Sequence, residues 1–231
     1  MVERVERATE KHDEGIAEAA PYHTPYFTTA GLLLSVAGAI ILMGIITAEA
    51  LYPAPYDTAA NTISDLGGTM PSEGGIVLQP SATIFDATMI LAGAMIIVGS
   101  LFVYRATERW GATIPLALLG TGVLGVGIFP GHVPVWHPIF ALLAFVAGGV
   151  AAVMAYEVAT PPFRYVSATL GVITLVSIVL GFFFLETLDF VASLGEGGIE
   201  RWIAYPVVLW LTMFGGYLMG HARRRPPGVR P

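Results

Sequence analysis

Ten side chains able to act as acid, base, ligand or nucleophile stand in a few short stretches: Asn61, Ser64 and Asp65; Asp86; His132 and His137; Glu186 and Asp189; Glu200 and Arg201. A carboxylate beside a histidine can orient the imidazole as a general base, which suits attack on an ester or phosphoester. The same groups would serve as ligands in metal-assisted hydrolysis. On this chemistry Asp65, Asp86, His137 and Glu186 are the catalytic candidates. Asn61, Ser64, Arg201 and His132 are the ligand-binding candidates, with Arg201 meeting a phosphate or pairing a carboxylate.

Each of these residues also has a structural explanation. Asp86 follows Ser81 and Thr83 near an expected helix start, where a carboxylate meets the positive end of the macrodipole. Glu200 has the same explanation just before Trp202. Asp65 closes the run Asn61-Thr62-Ile63-Ser64, whose side chains readily cap turns. Glu186 and Asp189 share a helix face and either sit in water or pair with Arg201. His132 and His137 do not share one face of a regular helix, and Pro134 and Pro138 interrupt a helix between and after them. A zinc site from both histidines with Asp65, Asp86 or Glu186 is chemically sensible. The His-Glu-x-x-His arrangement of zinc proteases is absent, however, so no metal and no cofactor are expected. There is no Gly-x-Ser-x-Gly elbow, and a triad of Ser64, a histidine and Asp86 would have to be assembled by the fold. Gly67-Gly68 and Gly74-Gly75 lack the lysine and helix that follow a phosphate loop. The chain has no cysteine, which excludes disulfides, thiolate metal sites and cysteine nucleophiles.

The elements that must position these groups are six apolar stretches, at 26–48, 84–104, 110–129, 136–156, 163–185 and 202–220. Each can cross a hydrocarbon core of about 30 Å, which takes about 20 residues in a helix. Hydrophobic residues make up 55% of the 231-residue chain and charged residues 12%, and the mean hydropathy is +0.72. Backbone groups in lipid must bond internally, so spanning segments of this kind are helices. The expected fold is all-α: a polytopic membrane protein with one six-helix bundle at 26–220, an acidic leader at 1–25 and a basic tail at 221–231. The first apolar run is longer than a signal-peptide core and reads as a retained helix. Small residues at four-residue spacing (Gly31/Ser35/Ala39, Ala117/Thr121/Gly125, Ala144/Gly148/Ala152, Gly216/Gly220) let helix backbones approach closely. The connection at 49–83 is long and turn-rich. Its apolar content predicts a cap over the bundle, with Tyr52, Tyr56, Ile63 and Leu66 buried and Asp65 bonded to nearby backbone. The run Gly195-Glu196-Gly197-Gly198 reads as a flexible part of the last loop. No internal repeat supports a transporter of inverted repeats.

Net charge is −6, and Lys11 is the single lysine. Acid-rich, lysine-poor composition points to a halophilic, archaeal or high-GC source. Nucleic-acid binding is not expected, because no basic face exists beyond the Arg223–Arg225 tail. Arg4, Arg7, Lys11, Arg105, Arg109, Arg164, Arg223, Arg224, Arg225 and Arg230 all fall on one side of a six-crossing arrangement, and only Arg201 falls on the other. The positive-inside rule then implies a multi-pass cell-membrane protein with both termini cytoplasmic and the 49–83 loop outside.

The stretch from Gly44 through Tyr52-Pro53 and Tyr56 to Asn61-Thr62-Ile63-Ser64-Asp65-Leu66-Gly67 resembles a known family. So do Gly127-Ile128-Phe129-Pro130 with His137, and Gly198-Ile199-Glu200-Arg201-Trp202 with Tyr205-Pro206. Together they are similar to the six-helix membrane family catalogued as domain of unknown function 998, over most of the chain beyond Tyr26. A more distant resemblance is to the DRAM-type and post-GPI-attachment lipid-remodelling membrane proteins. It is carried by Ser64-Asp65, Pro80 and Ile84-Phe85, while the 68–79 segment departs from that pattern. The first resemblance implies a fold and no activity; the second implies lipid handling.

Two functions follow as expectations. The leading one is an outer-side polar site that binds or modifies a lipid or lipid-linked molecule, with membrane lipids as partners. The alternative is a non-catalytic membrane subunit that stabilises a protein partner. Proton-coupled transport would want ionisable groups through the membrane depth, and the helix centres offer almost none. The orientation is testable in this cysteine-free background. A cysteine at Ser72 should react with an impermeant thiol reagent from outside, and one at Ala106 only from inside; the reverse pattern would overturn it.

Overall fold

The computed structural model describes residues 23–224, with side chains for 25–222. Most of the expected leader and tail, including Lys11 and Arg223–Arg225, lies outside the residues or side chains described. Six helices run in chain order: α1 His23–Ala50, α2 Ser81–Thr107, α3 Trp110–Ile128, α4 Trp136–Met154, α5 Phe163–Phe184 and α6 Asp189–Arg224. Short 3-10 turns occupy Ser64–Leu66, Pro71–Glu73 and Ala155–Glu157, and no strand occurs among the described residues. All six helices are long and apolar enough to cross a membrane. The chain is an all-helical multi-pass membrane protein.

Each helix packs on the next, and α6 returns to α1 and also touches α4. Thus α1–α4 and α6 surround a common centre, while α5 lies outside against α4 and α6. Its outward face (Val172, Val176, Val179, Phe182, Phe183) is exposed, as suits a helix whose other neighbour is lipid. The interior is filled by Leu34, Ile45, Phe85, Ile96, Leu116, Trp210, Leu211 and Phe214. Lipid tails are as apolar as these side chains, so close packing and interhelical hydrogen bonds must hold the bundle rather than a hydrophobic driving force. The bonds are present. Trp210 Nε1 donates to Ser167 Oγ at 2.7 Å, which donates to the Ala152 carbonyl at 2.6 Å, tying α6 to α5 and α4. Thr174 Oγ1 donates to the Ile203 carbonyl at 3.1 Å, and Ser35 Oγ to the Thr212 carbonyl at 3.0 Å.

Close packing depends on small residues, though not on all the stripes expected. A Cβ placed on Gly31 would overlap the Gly215 backbone, and one on Gly93 would overlap the Leu124 backbone. Gly216 and Gly220 face open space instead, with no atom within 4 Å of such a Cβ. Two further expectations need correction. Pro138 does not break the helix after His137, because it stands in the first turn of α4, where its missing N–H has no intrahelical partner to lose. The run Gly195–Gly198 is a loop only in part: two helical segments meet at Gly195, whose φ of 69° and ψ of 174° are not helical, and the residues after it begin the segment that runs to Arg224. The glycines are there for contact. The Gly197 N–H donates to the Ala59 carbonyl at 2.9 Å, and a Cβ on Gly195 or Gly197 would overlap the Ala59 or Asn61 carbonyl.

Gly93→Val should lower the melting temperature in detergent by about 2–10 °C, the cost of overpacking a close helix contact. Gly216→Ala should leave it unchanged. Equal effects of the two substitutions would contradict the packing described.

Candidate functional site

The loop between α1 and α2 returns its backbone to the bundle, and the polar groups it brings must find partners there. Arg201 and Glu200, consecutive on α6, supply them with opposite chemistry. Arg201 Nη1 donates to the carbonyls of Thr58, Asn61 and Gly197, each at 2.9 Å. Its Nη2 donates to Glu49 Oε1 at 2.5 Å and to the Tyr56 hydroxyl at 2.9 Å. Both ends of the ion pair are largely buried, at 11% and 21% side-chain exposure, and a pair withdrawn from water in this way holds only if its other donors and acceptors are met. Glu200 takes the donors: its Oε2 accepts the Ile63 N–H at 2.5 Å and its Oε1 accepts the Ser64 hydroxyl at 2.8 Å. Arg201 therefore pairs with Glu49, not with Glu186 or Asp189.

The Thr62-Ile63-Ser64-Asp65 segment closes on itself in the reciprocal pattern of a capping box. Asp65 Oδ2 accepts the Thr62 N–H at 2.9 Å, and the Asp65 N–H donates to Thr62 Oγ1 at 3.2 Å. Asn61 Nδ2 reaches the same carboxylate oxygen at 3.5 Å. The Tyr56 hydroxyl donates to the Thr62 carbonyl at 2.7 Å. Ile63, Leu66 and Asp65 are buried, and Tyr52 and Tyr56 are half-buried. Burial raises the phenol pKa of Tyr56, against the lowering effect of Arg201. Burial, with the Asp65 and Glu73 carboxylates, also raises that of Tyr52.

A second group lies beneath Gly67-Gly68. Asp86 Oδ1, His132 Nδ1 and His137 Nε2 are buried side-chain atoms with no hydrogen-bond partner among the described residues. Gly67 passes so close to Asp86 that a Cβ there would stand 2.6 Å from Oδ1, and one on Gly68 would stand 2.8 Å from His132 Nδ1. His137 is 5% exposed; its Nδ1 lies 2.8 Å from the Phe129 carbonyl. His132 and Asp65 are near enough to act on it electrostatically. Asp86 falls in the second turn of α2, beyond the first turn in which the macrodipole acts most strongly on a carboxylate. Among the described residues no group of three or more His, Asp or Glu side chains is placed to hold a metal ion.

At the loop end of the bundle is a cavity of about 80 Å³, whose lining does not include Asp86, His132 or His137; it is several times the roughly 10–15 Å³ that accommodates one water. Its walls are apolar (Ile41, Phe85, Met89, Val123, Phe145, Val207), and its polar lining is Ser64 and Glu200 at the loop end. Asn61, Ser64, Asp65, Asp86, His132, His137 and Arg201 thus gather at one end of the bundle. Glu186 does not join them: it is exposed in the turn after α5. Sequence reasoning gave Glu200 no place among the site candidates because it took Glu200 for a helix start. The signal available was a carboxylate inside an otherwise apolar span, which is costly without a dedicated partner.

Removing this network should loosen the loop. Arg201→Lys keeps the charge and loses the planar fork; it should speed amide exchange at 56–66 and lower the melting temperature, and unchanged exchange would argue against the role assigned to Arg201. Tyr56→Phe loses two hydrogen bonds, about 1–3 kcal/mol. Since the folded protein disfavours the Tyr56 phenolate, the stability from this raised pKa is complete below the ordinary value of 10.0 and is lost as the pH rises above it. A denaturation series from pH 8 to 11 should show a shallower alkaline loss in Tyr56→Phe than in wild type.

Comparison with known proteins adds a family and no activity. No curated protein and no solved structure matches the chain. One family model matches residues 35–217, from α1 into α6, and its description is a protein of unknown function, DUF998. The match includes the Asn61–Gly67 element, His132 and His137, and the Glu200–Arg201 pair, so the residues that build this site fall within the shared region. The chain belongs to the DUF998 family.

Proposed function

We propose that the protein binds a membrane amphiphile, with its hydrocarbon part in the cavity among α1–α4 and α6 and its polar end beneath the 51–80 loop. The observation that carries this reading is the form of the cavity: apolar walls that end at Ser64 and Glu200. Ligand sites are concave and mostly apolar, with a few polar groups that fix orientation. A chain moving from the bilayer into this cavity exchanges one apolar surrounding for another and gains little from the move. Selectivity therefore rests on the polar end, formed by Ser64 and Glu200. Arg201 and Asn61 hold the loop that covers this end. The arginine distribution along the chain supports an outward-facing end and cytoplasmic termini.

Native mass spectrometry of the purified protein tests the reading. An adduct in the mass range of a lipid should persist in wild type and fall at least about tenfold in Ala204→Phe and in Val123→Phe, which fill the cavity from α6 and α3; a tenfold loss corresponds to about 1.4 kcal/mol. Both variants should keep the wild-type melting temperature in the ligand-free state. Equal adduct retention in folded variants, or no adduct in wild type after incubation with diacylglycerol, would overturn it.

A further inference from the structure

The cavity lining is closed on the sides of α1, α2 and α3 and exposed on one other. The residues these three helices contribute, such as Ile41, Met89 and Val123, are buried. The half-exposed lining residues are Ala141 and Phe145 of α4, Glu200 and Ala204 of α6, and Ser64 of the loop. They follow one seam. Helices α4 and α6 both start at the loop end and run the same way. A Cβ on Gly148 would stand 2.8 Å from Val207 Cγ1, so the two helices touch there. The same register sets Phe145 level with Ala204 and Ala141 level with Glu200, one and two turns nearer the loop. From Gly148 to Ala141 the seam is about 10 Å long at the helical rise per residue.

Helix α5 covers the seam only in the part away from the loop. A Cβ on Gly171 would overlap the Gly149 carbonyl and stand 2.8 Å from Val153 Cγ2, so α5 lies on that stripe of α4. Val146 and Leu142 continue the stripe toward the loop, and they are 40% and 43% exposed. Over this stretch α5 keeps to α6, where a Cβ on Gly181 would stand 3.2 Å from Ile199. A cleft between α4 and α6 therefore leads from the bilayer to the cavity. The way from water is covered, because Ile63 and Leu66 are buried and the loop is bonded to Glu200 through Ile63 and Ser64.

The loop end of the cleft presents acceptors. Ser64 gives its one hydroxyl proton to Glu200 Oε1 and keeps lone pairs. The Glu200 carboxylate accepts from Ile63 and Ser64 and has lone pairs to spare. The neighbouring Arg201 guanidinium is committed to Glu49, and Glu200 has no ion pair among the described residues. A carboxylate held out of water without a counter-charge is costly, and it repels an anionic head. An ammonium supplies donors and the missing charge together.

We infer that the cavity is entered sideways from the bilayer, through the cleft between α4 and α6, by an amphiphile whose ammonium head comes to rest against Glu200 and Ser64. The inference rests on the cavity reading above and adds to it a route and a head group. Along this route the head stays at the level of Ala141 and Glu200 while the chain passes Phe145 and Ala204. The polar part then never crosses hydrocarbon and the chain never enters water, the two costly transfers.

The test uses the full chain in nanodiscs and a dodecylamine with a diazirine near the end of its chain. Irradiation and peptide mapping should place the label at Met89 or Val123, buried walls that face the cavity. Unlabelled dodecylamine should compete at least about tenfold better than dodecanol or lauric acid, the gain of a charge-assisted hydrogen bond over a neutral one. Dodecanol, which like diacylglycerol donates a hydroxyl without a charge, should still bind, more weakly. Glu200→Gln should bring the amine to the level of dodecanol. Ala141→Phe, at the mouth of the cleft, should keep the wild-type melting temperature and slow the labelling at least about tenfold, by overpacking the passage. Labelling at the wild-type rate in folded Ala141→Phe would overturn the route. Dodecanol or lauric acid competing as well as the amine would overturn the head group and keep the cavity; that comparison is made in wild type and stands whether or not Glu200→Gln folds. No label on either wall in wild type would reject the cavity reading and the inference together.

Discussion

The loop end of the molecule depends on one pair of neighbours, Glu200 and Arg201, whose opposite charges satisfy opposite halves of the loop backbone. A loop laid onto a membrane helix brings carbonyls that need donors and N–H groups that need acceptors, with little water to serve either. Arg201 supplies donors to the Thr58 and Asn61 carbonyls, and Glu200 supplies acceptors to the Ile63 N–H and Ser64 hydroxyl. Glu49 at the end of α1 balances the guanidinium. Helix α1, the loop and α6 are thereby joined at a single point. Replacing either charge alone would leave the other buried without its partners, which is the costly way to break such a network.

The same point explains the unusual start of α6. Gly195 breaks the helical path with φ 69° and ψ 174°, and glycine at 195 and 197 lets the Ala59 and Asn61 carbonyls come closer than any side chain would allow. Gly197 gives its N–H to the Ala59 carbonyl and its own carbonyl to Arg201. Farther along the helices the contacts are mainly steric. Gly31 against Gly215 and Gly93 against Leu124 bring helix backbones together, and the few interhelical bonds, such as Trp210 to Ser167, add direction to contacts that dispersion alone would leave free to slide.

Beside this saturated network sits a group that is not saturated. Asn61, Asp65, Glu200 and Arg201 are accounted for by hydrogen bonds within the chain, whereas Asp86, His132 and His137 each keep a buried atom without a partner among the described residues. Native proteins leave few such atoms, and they concentrate where something else binds. That contrast separates residues that build the loop from residues whose polar atoms the described chain leaves unpartnered.

What the sequence determined by itself was the membrane architecture. Six runs of about 20 apolar residues have only one backbone solution in lipid, so α1 to α5 lie within a few residues of where hydropathy places them. Asp65 was legible too, because Thr62-Ile63-Ser64-Asp65 bonds within four residues and needs no distant partner. The remainder depended on contacts far apart in the chain. Arg201 finds Glu49 rather than Glu186, Glu200 reaches Ile63 and Ser64, and Asp86 passes under Gly67. Such pairings are set by how helices close into a ring, and no local pattern encodes that. The Gly195–Gly198 run was half legible: local propensity marks the break at Gly195, and only the approach of the 59–61 backbone shows why glycine is needed at 195 and 197. Tertiary structure also decided which polar groups were used up in holding the fold and which were left with an open valence, because that depends on who stands within about 3 Å, and spacing along the chain says nothing about it.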